Sequence, residues 1–364
     1  MKKLFLIFSF LICAFMIVGC KKDVSENTND STQNVVDEEK KSDENTDAKE
    51  DEKLDFSGRT LNVIATSEKY QKLFDLFTEK TGAKVEFLSM SSGDVLSRIK
   101  AEGKPVSDLW FGGGLDAFLS AKESGFLDSY IPKEADKVDE RFRDKDGYWI
   151  AKGLTVVGLL VNEEMLKEKG LEVPKTLEEI KDPKYKDLVI MSTPEVSGTM
   201  FAFVKGILDK YGEEEGYKYL EELNNNIPFY GKRGKDPQEK TVAGEFAIGI
   251  IPIDKSAFDA AKEYNLTAIY PEDGIAWVPE GVAVFKDAPG SDMAKAFIDF
   301  MLLDENQELL AELDGKDGNQ MIKQGVSGYK LGLDKALLID EKIEEFGSKR
   351  DEILNRFKEI TKDK

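Results

Sequence analysis

At 364 residues, 41% hydrophobic and 10% aromatic, the chain can bury a sizeable core, and its length fits roughly two domains of ordinary size. A formal net charge of −20 argues against nucleic acid or an anionic membrane surface as a partner, so any anion must be held by local geometry. The complete absence of histidine excludes a Ser-His or Cys-His nucleophile pair and an HExxH zinc site, and no spacing singles out two carboxylates for hydrolysis, so the chain reads as a non-enzyme.

The chain opens on MKKLFLIFSFLICAFMIVGC, where two lysines precede an apolar run from Leu4 to Val18 that ends in Gly19 and Cys20. A charged start, a short apolar stretch and small residues make residues 1–19 a secretory signal rather than a membrane helix. The two cysteines are Cys13 within that signal and Cys20 at its end, so no thiol chemistry is left for the folded part. Residues 20–55 form an acidic tether. From Lys21 to Lys53 it has no aromatic residue and only three valines as sizeable apolar groups, too little to offset the entropy of ordering.

The folded part alternates strands and helices. RTLNVIAT (59–66) is a β-rich run, and the segment after it has helical spacing at Tyr70, Leu73, Leu76 and Phe77. KVEFLSM reads as a strand, SSGDVLSRIKAE as a helix opening on small polar residues, and SDLWFGG as a strand. GLTVVGLLVN, from Gly153, is a long β-branched run suited to a strand leaving one lobe for another. DLVIMSTPEVSGTMFAFVKGIL and FAIGIIPIDKSAFDAAKEY repeat the strand, turn and helix pattern. EGVAVF then precedes a helix with apolar residues at Ala294, Phe297, Phe300 and Leu303. Such alternation predicts an α/β fold of open, mostly parallel sheets with flanking helices, in two lobes joined by at least two crossings. The expected boundaries are 56–154 and 275–310 for the first lobe, 155–274 for the second, and 311–364 for C-terminal helices without a motif.

Ligands of open α/β sheets bind beyond the carboxyl ends of strands, where helix N-termini offer free N–H groups to an anion. Three strand-to-helix turns have the required chemistry: Ser91, Ser92 and Gly93; Gly112, Gly113 and Gly114; and Ser197, Gly198 and Thr199. Glycine admits close backbone approach, and a hydroxyl adds a donor. Each turn also has an ordinary reading, since Ser or Thr ahead of a helix caps it and glycine solves tight turns. A charge at a helix N-terminus gains ~0.3–1 kcal/mol, whereas micromolar binding needs about 8 kcal/mol. Further contacts are therefore required, and Ser67, Tyr230, Arg233, Lys232, Trp110 and Trp277 are candidates to supply them. A solvated basic loop is the competing reading for Lys232, and a buried hinge residue that for Trp277.

At SSGDVLSRIKAEGKPVSDLWFGGGLDAFLSAKESGFL, GLLVNEEML, DPKYKDLVIMSTPEVSGTMF and GVAVFKDAPGSDMAKAFIDFML, the chain resembles the solute-binding proteins of bacterial ABC importers. The branch includes ferric-binding, sugar-phosphate, phosphonate and thiamine-type binders, and the likeness spans about residues 59–310. It implies a two-lobed type II periplasmic-binding fold with a hinge, in which the turn at Ser197, Gly198 and Thr199 holds an anion. IVGC resembles a lipobox, which implies lipidation of Cys20 and an anchor in the bacterial cell envelope, on the periplasmic or extracellular face. The resemblance also implies a permease and an ATPase as partners, a monomeric receptor and no cofactor. Ferric-binding relatives use paired tyrosines after a GE-containing strand, where this chain has Asp254 and Lys255 in GEFAIGIIPIDKSAF. With that ligand set missing, no metal site is expected. A carboxylate at Asp254 suits sugar hydroxyls or an ammonium, and the GGG and SGT turns look most like the organophosphate branch. A hexose phosphate is the first expectation, followed by a phosphonate, pyridoxal phosphate, a thiamine phosphate or ferric iron; a surface lipoprotein without a transport role is the alternative of a different class.

Overall fold

The computed structural model describes residues 54–364, so the signal, Cys20 and the tether as far as residue 53 lie outside the described residues. The first elements alternate as expected: β1 (Thr60–Ala65), α1 (Gln71–Thr81), β2 (Lys84–Ser89), α2 (Ser92–Glu102), β3 (Leu109–Gly114) and α3 (Leu115–Glu123). A two-residue β4 (Leu127–Asp128) precedes the long β5 (Ile150–Val161). Then come α4 (Glu163–Glu168), α5 (Leu177–Ile180), β6 (Val189–Ile190), α6 (Gly198–Tyr211), α7 (Glu213–Asn224), α8 (Asp236–Val242), β7 (Ile248–Pro252), α9 (Lys255–Glu263) and β8 (Thr267–Ile269). The chain returns through β9 (Trp277–Phe285) and finishes with α10 (Ser291–Met301), α11 (Asp304–Asp314), α12 (Glu345–Ser348) and α13 (Arg350–Thr361).

The strands run in the order β2-β1-β3-β9-β5-β7-β6, with β4 beside β9 and β8 beside β5. The pairs β1–β2, β1–β3 and β6–β7 are parallel, as helix crossovers require. Every pair that includes β5 or β9 is antiparallel, because these two strands carry the chain across the sheet in opposite directions. Residues 150–156 of β5 pair with β9, whereas 157–161 pair with β7 and β8, so this single strand belongs to both halves of the sheet.

All twelve residues of β5 are buried, which explains its continuous apolar run: layers cover both faces. Alternation sorts side chains between two cores. Trp110, Val157 and Leu159 join Phe118, Phe201, Phe203 and Phe346 on one face, while Phe111, Val156 and Leu160 join Phe74, Phe77 and Phe297 on the other. On the first, Trp110 stacks on Phe118 with ring centres 3.9 Å apart.

The segment between α11 and α12 docks on the start of β9. The Trp277 N–H donates to Glu341 Oε1 at 2.8 Å and the indole Nε1–H to the Ile339 carbonyl at 2.8 Å. Glu341 Oε2 is buried without a partner among the described residues, and burial pushes this carboxyl well above its ordinary range. A carboxyl raised in the folded state takes up a proton on folding, so its contribution is fullest below the unfolded value of about 4.3 and is lost as pH rises through the folded one. Glu341→Gln, which keeps the acceptor for Trp277, is expected to be more stable than the parent by ~1 kcal/mol at pH 8. Urea unfolding at pH 5 and pH 8 checks this, and a difference that does not grow with pH contradicts it.

Candidate functional site

The three glycines that end β3 are accounted for by the protein's own atoms. Gly112 and Gly113 have φ of 88° and 112°, where a side chain is strained. A Cβ on Gly112 would lie 2.9 Å from Thr66 Oγ1 and 3.1 Å from Lys152 Cε, and one on Gly113 would lie 2.7 Å from Ser92 Cβ. Gly114 faces the second half of the sheet, where its Cβ would lie 2.9 Å from the Gly198 Cα. The turn at 112–114 therefore meets the turn at 91–93 through Ser92 and the turn at 197–199 through Gly198. The three candidate turns converge, through the Ser92 side chain on one side and by backbone contact with Gly198 on the other.

Beside this junction lies a cavity of about 900 Å³. Thr66, Ser67 and Ser89 reach it from the ends of β1 and β2, Thr199 from the start of α6, and Asp254 and Ser256 from the turn after β7. Ser67 caps a short helical turn, accepting from the Lys69 N–H at 3.3 Å. Ser197 is buried and caps α6 by accepting from the Met200 N–H at 3.3 Å. The N–H groups of Gly198 and Thr199 come too early in the helix to find an intrahelical acceptor. Asp254 caps α9: its Oδ1 accepts from the N–H groups of Ser256 and Ala257 at 2.8 and 3.2 Å and from the Ser256 hydroxyl at 2.6 Å. Oδ2 takes part in none of these bonds.

The cavity floor is an ion network across the two crossing strands. Lys152 of β5 is fully buried, with Nζ 2.5 Å from Glu280 Oε2 of β9 and 2.5 Å from Asp314 Oδ2 at the end of α11. Thr155 donates to Glu280 Oε1 at 2.6 Å, Lys316 lies 3.4 Å from the same oxygen, and Tyr70 donates to Asp314 Oδ1 at 2.8 Å. Burial opposes the charge on Lys152, but Asp314 and Glu280 more than offset it and hold its pKa well above the usual lysine value. Burial likewise opposes ionisation of Glu280 and Asp314. Lys152 outweighs it and lowers both, Glu280 further, with Lys316 assisting. Burial and then Asp314 push the Tyr70 phenol well up.

The other candidates are distributed elsewhere. Ser91, Gly93 and Arg233 line a separate cavity of about 810 Å³ between α2, the 195–196 and 232–234 segments and α13. Ser91 is taken up by its own helix, accepting from the Asp94 N–H and donating to the Asp94 carboxylate. Arg233 pairs with Asp236 and Glu239 at 2.9 and 3.0 Å. Tyr230 donates to Asn224 at 2.8 Å and sets its ring edge-on to Phe357 of α13, away from the 900 Å³ cavity. Trp110 is fully buried and Trp277 nearly so, in the core against Phe142, so neither stacks on a ligand in that cavity. Sequence reasoning missed Thr66, Ser89, Lys152, Thr155, Glu280 and Asp314. For Lys152 and Glu280 a signal exists, because each is a lone charge within a continuous apolar strand and so needs a buried partner. Among the described residues, no three Asp, Glu, His or Cys side chains are grouped to hold a metal ion.

A family model described as bacterial extracellular solute-binding protein matches residues 106–319. An uncharacterized protein of Haemophilus influenzae is 33% identical over 239 residues, 64% of this chain and 69% of that one. The periplasmic binding protein AfuA of Actinobacillus pleuropneumoniae, solved with exogenous fructose-6-phosphate bound, superposes with a TM-score of 0.77 at 28% identity, covering 85% of this chain and 100% of AfuA. Iron-bound HitA of Pseudomonas aeruginosa superposes with a TM-score of 0.71 at 20% identity, covering 83% of this chain and 99% of HitA, a likeness of fold alone. With a cavity built from strand ends on both sides of a pair of crossing strands, and with a family model over more than half its length, the chain belongs to the bacterial extracellular solute-binding proteins, the two-lobed periplasmic-binding receptors that serve ABC importers rather than catalyse reactions.

Proposed function

We propose that the solute is a small phosphorylated organic molecule, with hexose phosphate the best fit, bound in the 900 Å³ cavity and handed to an ABC permease. One observation carries this reading: the Thr199 end of α6 and the Asp254 carboxylate face the same cavity. The Gly198 and Thr199 amides, with the hydroxyls of Thr66, Ser67 and Ser89, suit a phosphate. Asp254 Oδ2 suits the hydroxyls of a sugar. The likeness to AfuA, which was solved with fructose-6-phosphate bound, supports the choice. A ferric ion fits less well, because it favours anionic oxygen ligands and the cavity's Tyr70 is held protonated by burial and by Asp314.

The lobes divide in this reading at 154/155 and 274/275. That division is supported by the switch in β5 partners at 156/157 and by the return of the chain in β9. Cys20 would carry the lipid anchor of a monomeric receptor.

Calorimetry against glucose 6-phosphate, fructose 6-phosphate, 2-aminoethylphosphonate, pyridoxal phosphate, thiamine phosphate and ferric citrate tests the assignment. Hexose phosphates are expected to bind tightest. Tight ferric binding with no response to any phosphate ester overturns it. Asp254→Asn keeps the cap on α9, since Asn caps as well as Asp. It is expected to weaken glucose 6-phosphate about tenfold, the loss of one charge-assisted bond, while leaving inorganic phosphate unchanged. Equal losses for both ligands would place Asp254 outside the sugar end.

A further inference from the structure

The C-terminal helices α12 and α13 reach both halves of the sheet, and none of their residues lines the 900 Å³ cavity. Gly347 of α12 packs against Leu119 of α3, where a Cβ would lie 2.6 Å from the Leu119 Cβ. Phe346 meets Phe201 of α6 edge-on at 5.8 Å, and Glu345 lies 3.3 Å from the buried Lys205 of the same helix. Phe357 of α13 meets Tyr230. This segment therefore holds α3 from one half and α6 from the other.

At the centre of that span is a buried ion pair: Arg350, the first residue of α13, donates from Nε to Asp116 Oδ2 at 2.7 Å. The Asp116 side chain is 3% exposed, and its other oxygen, Oδ1, has no hydrogen-bond partner among the described residues. That oxygen lies against both glycine turns: a Cβ on Gly114 would be 2.8 Å from it and one on Gly198 3.3 Å from it. Asp116 is thus wedged where the start of α3 meets the start of α6, with a cation from a third segment, 234 residues further along the chain, fixing its orientation. Burial destabilises the Asp116 carboxylate and raises its pKa against the pull of Arg350, so the position is costly and Arg350 is its main compensation.

We propose that Asp116 and Arg350 are positioning residues for solute binding: through them, α13 clamps the Gly114 turn against the Gly198 turn and fixes the start of α6, whose Thr199 lines the cavity. The clamp lies behind the turn, and Arg350 lines the separate 810 Å³ cavity rather than the solute cavity. The inference rests on the reading of the Gly198–Thr199 turn as a solute contact, and its test separates the two.

Hydrogen exchange of the full-length protein without solute reports on the clamp alone, and calorimetry with glucose 6-phosphate reports on its use. In Arg350→Met, amides of segments 114–117 and 198–201 are expected to exchange at least about tenfold faster while β1, β5 and β9 are unchanged, a local opening rather than global unfolding. Glucose 6-phosphate should bind about tenfold more weakly, and Arg350→Lys, which restores the cation, should recover part of both effects. Exchange within twofold of the parent in both segments overturns the clamp. Faster exchange with no glucose 6-phosphate binding by the parent supports the clamp and counts against the proposed solute. Should Arg350→Met fail to fold, Asp116→Asn serves in its place: it keeps the shape and removes the charge that Arg350 orients, so the same two segments must loosen or the proposal fails.

Discussion

Lys152→Met is expected to lower folding stability by about 3–5 kcal/mol. Lys152 is fully buried, and its ammonium is shared between Glu280 and Asp314, whose side chains are 19% and 3% exposed. A methionine fills the volume but leaves two facing carboxylates without the cation between them. Lys316 and Lys69 still contact Glu280 and Asp314, at 3.4 and 2.8 Å, so the loss stays at the scale of one broken buried pair rather than two.

The pH dependence follows from the directions of the shifts. Glu280 and Asp314 are lowered in the folded protein, so their contribution is present above the unfolded values of about 4.3 and 3.9 and is lost as pH falls through the lower folded ones. Lys152 is raised, so its contribution is present below about 10.4 and lost as pH rises through the folded value. Urea unfolding of the parent should therefore show this contribution constant from about pH 5 to pH 9. In Lys152→Met the difference from the parent should shrink as acid protonates the carboxylates, and adding Glu280→Gln and Asp314→Asn should recover most of the stability. A loss under about 1 kcal/mol, the scale of an exposed pair, contradicts this account of the network.

Gly198→Val is expected to weaken glucose 6-phosphate at least about 100-fold, the loss of about 2.7 kcal/mol that two charge-assisted amide bonds supply. The new Cβ would lie 3.0 Å from the Gly114 Cα and 3.3 Å from the Gly114 N. Its neighbour is backbone and cannot swing aside, so the start of α6 must move and the two amides move with it. Overpacking adds a stability cost of about 1–3 kcal/mol. Calorimetry together with thermal unfolding separates the two effects, and an affinity within threefold of the parent rules out the Gly198–Thr199 turn as a solute contact.

Much of the fold was legible because its signals are local. Alternating apolar runs marked β1, β2 and β3, helical spacing marked α1 and α10, and Ser91, Ser197 and Asp254 stand where a helix begins and cap α2, α6 and α9. The long apolar run from Gly153 predicts a crossing strand, and β5 pairs in both halves of the sheet. The antiparallel pairing of β5 and β9 was not legible, because two strands more than 100 residues apart choose each other only when the sheet closes. The convergence of candidates was legible in part: Ser67, Thr199 and Asp254 line the same 900 Å³ cavity, whereas Trp277 and Tyr230 pack into cores, since an aromatic side chain in sequence does not say which side of a strand or helix it will face.

The sequence by itself determined the strand and helix alternation, the turns where backbone must come close, the missing histidine chemistry and the likeness to importer receptors, all of which depend on neighbouring residues or on composition. Tertiary structure alone decided what the glycines approach. They admit Thr66, Lys152, Ser92 and Gly198. It alone also brought Lys152, Glu280 and Asp314 together across 128 and 162 residues of chain. The physical reason is that a buried charge is tolerated only beside its counter-charge, and which segment supplies that partner is fixed by how the sheet and its covering helices pack.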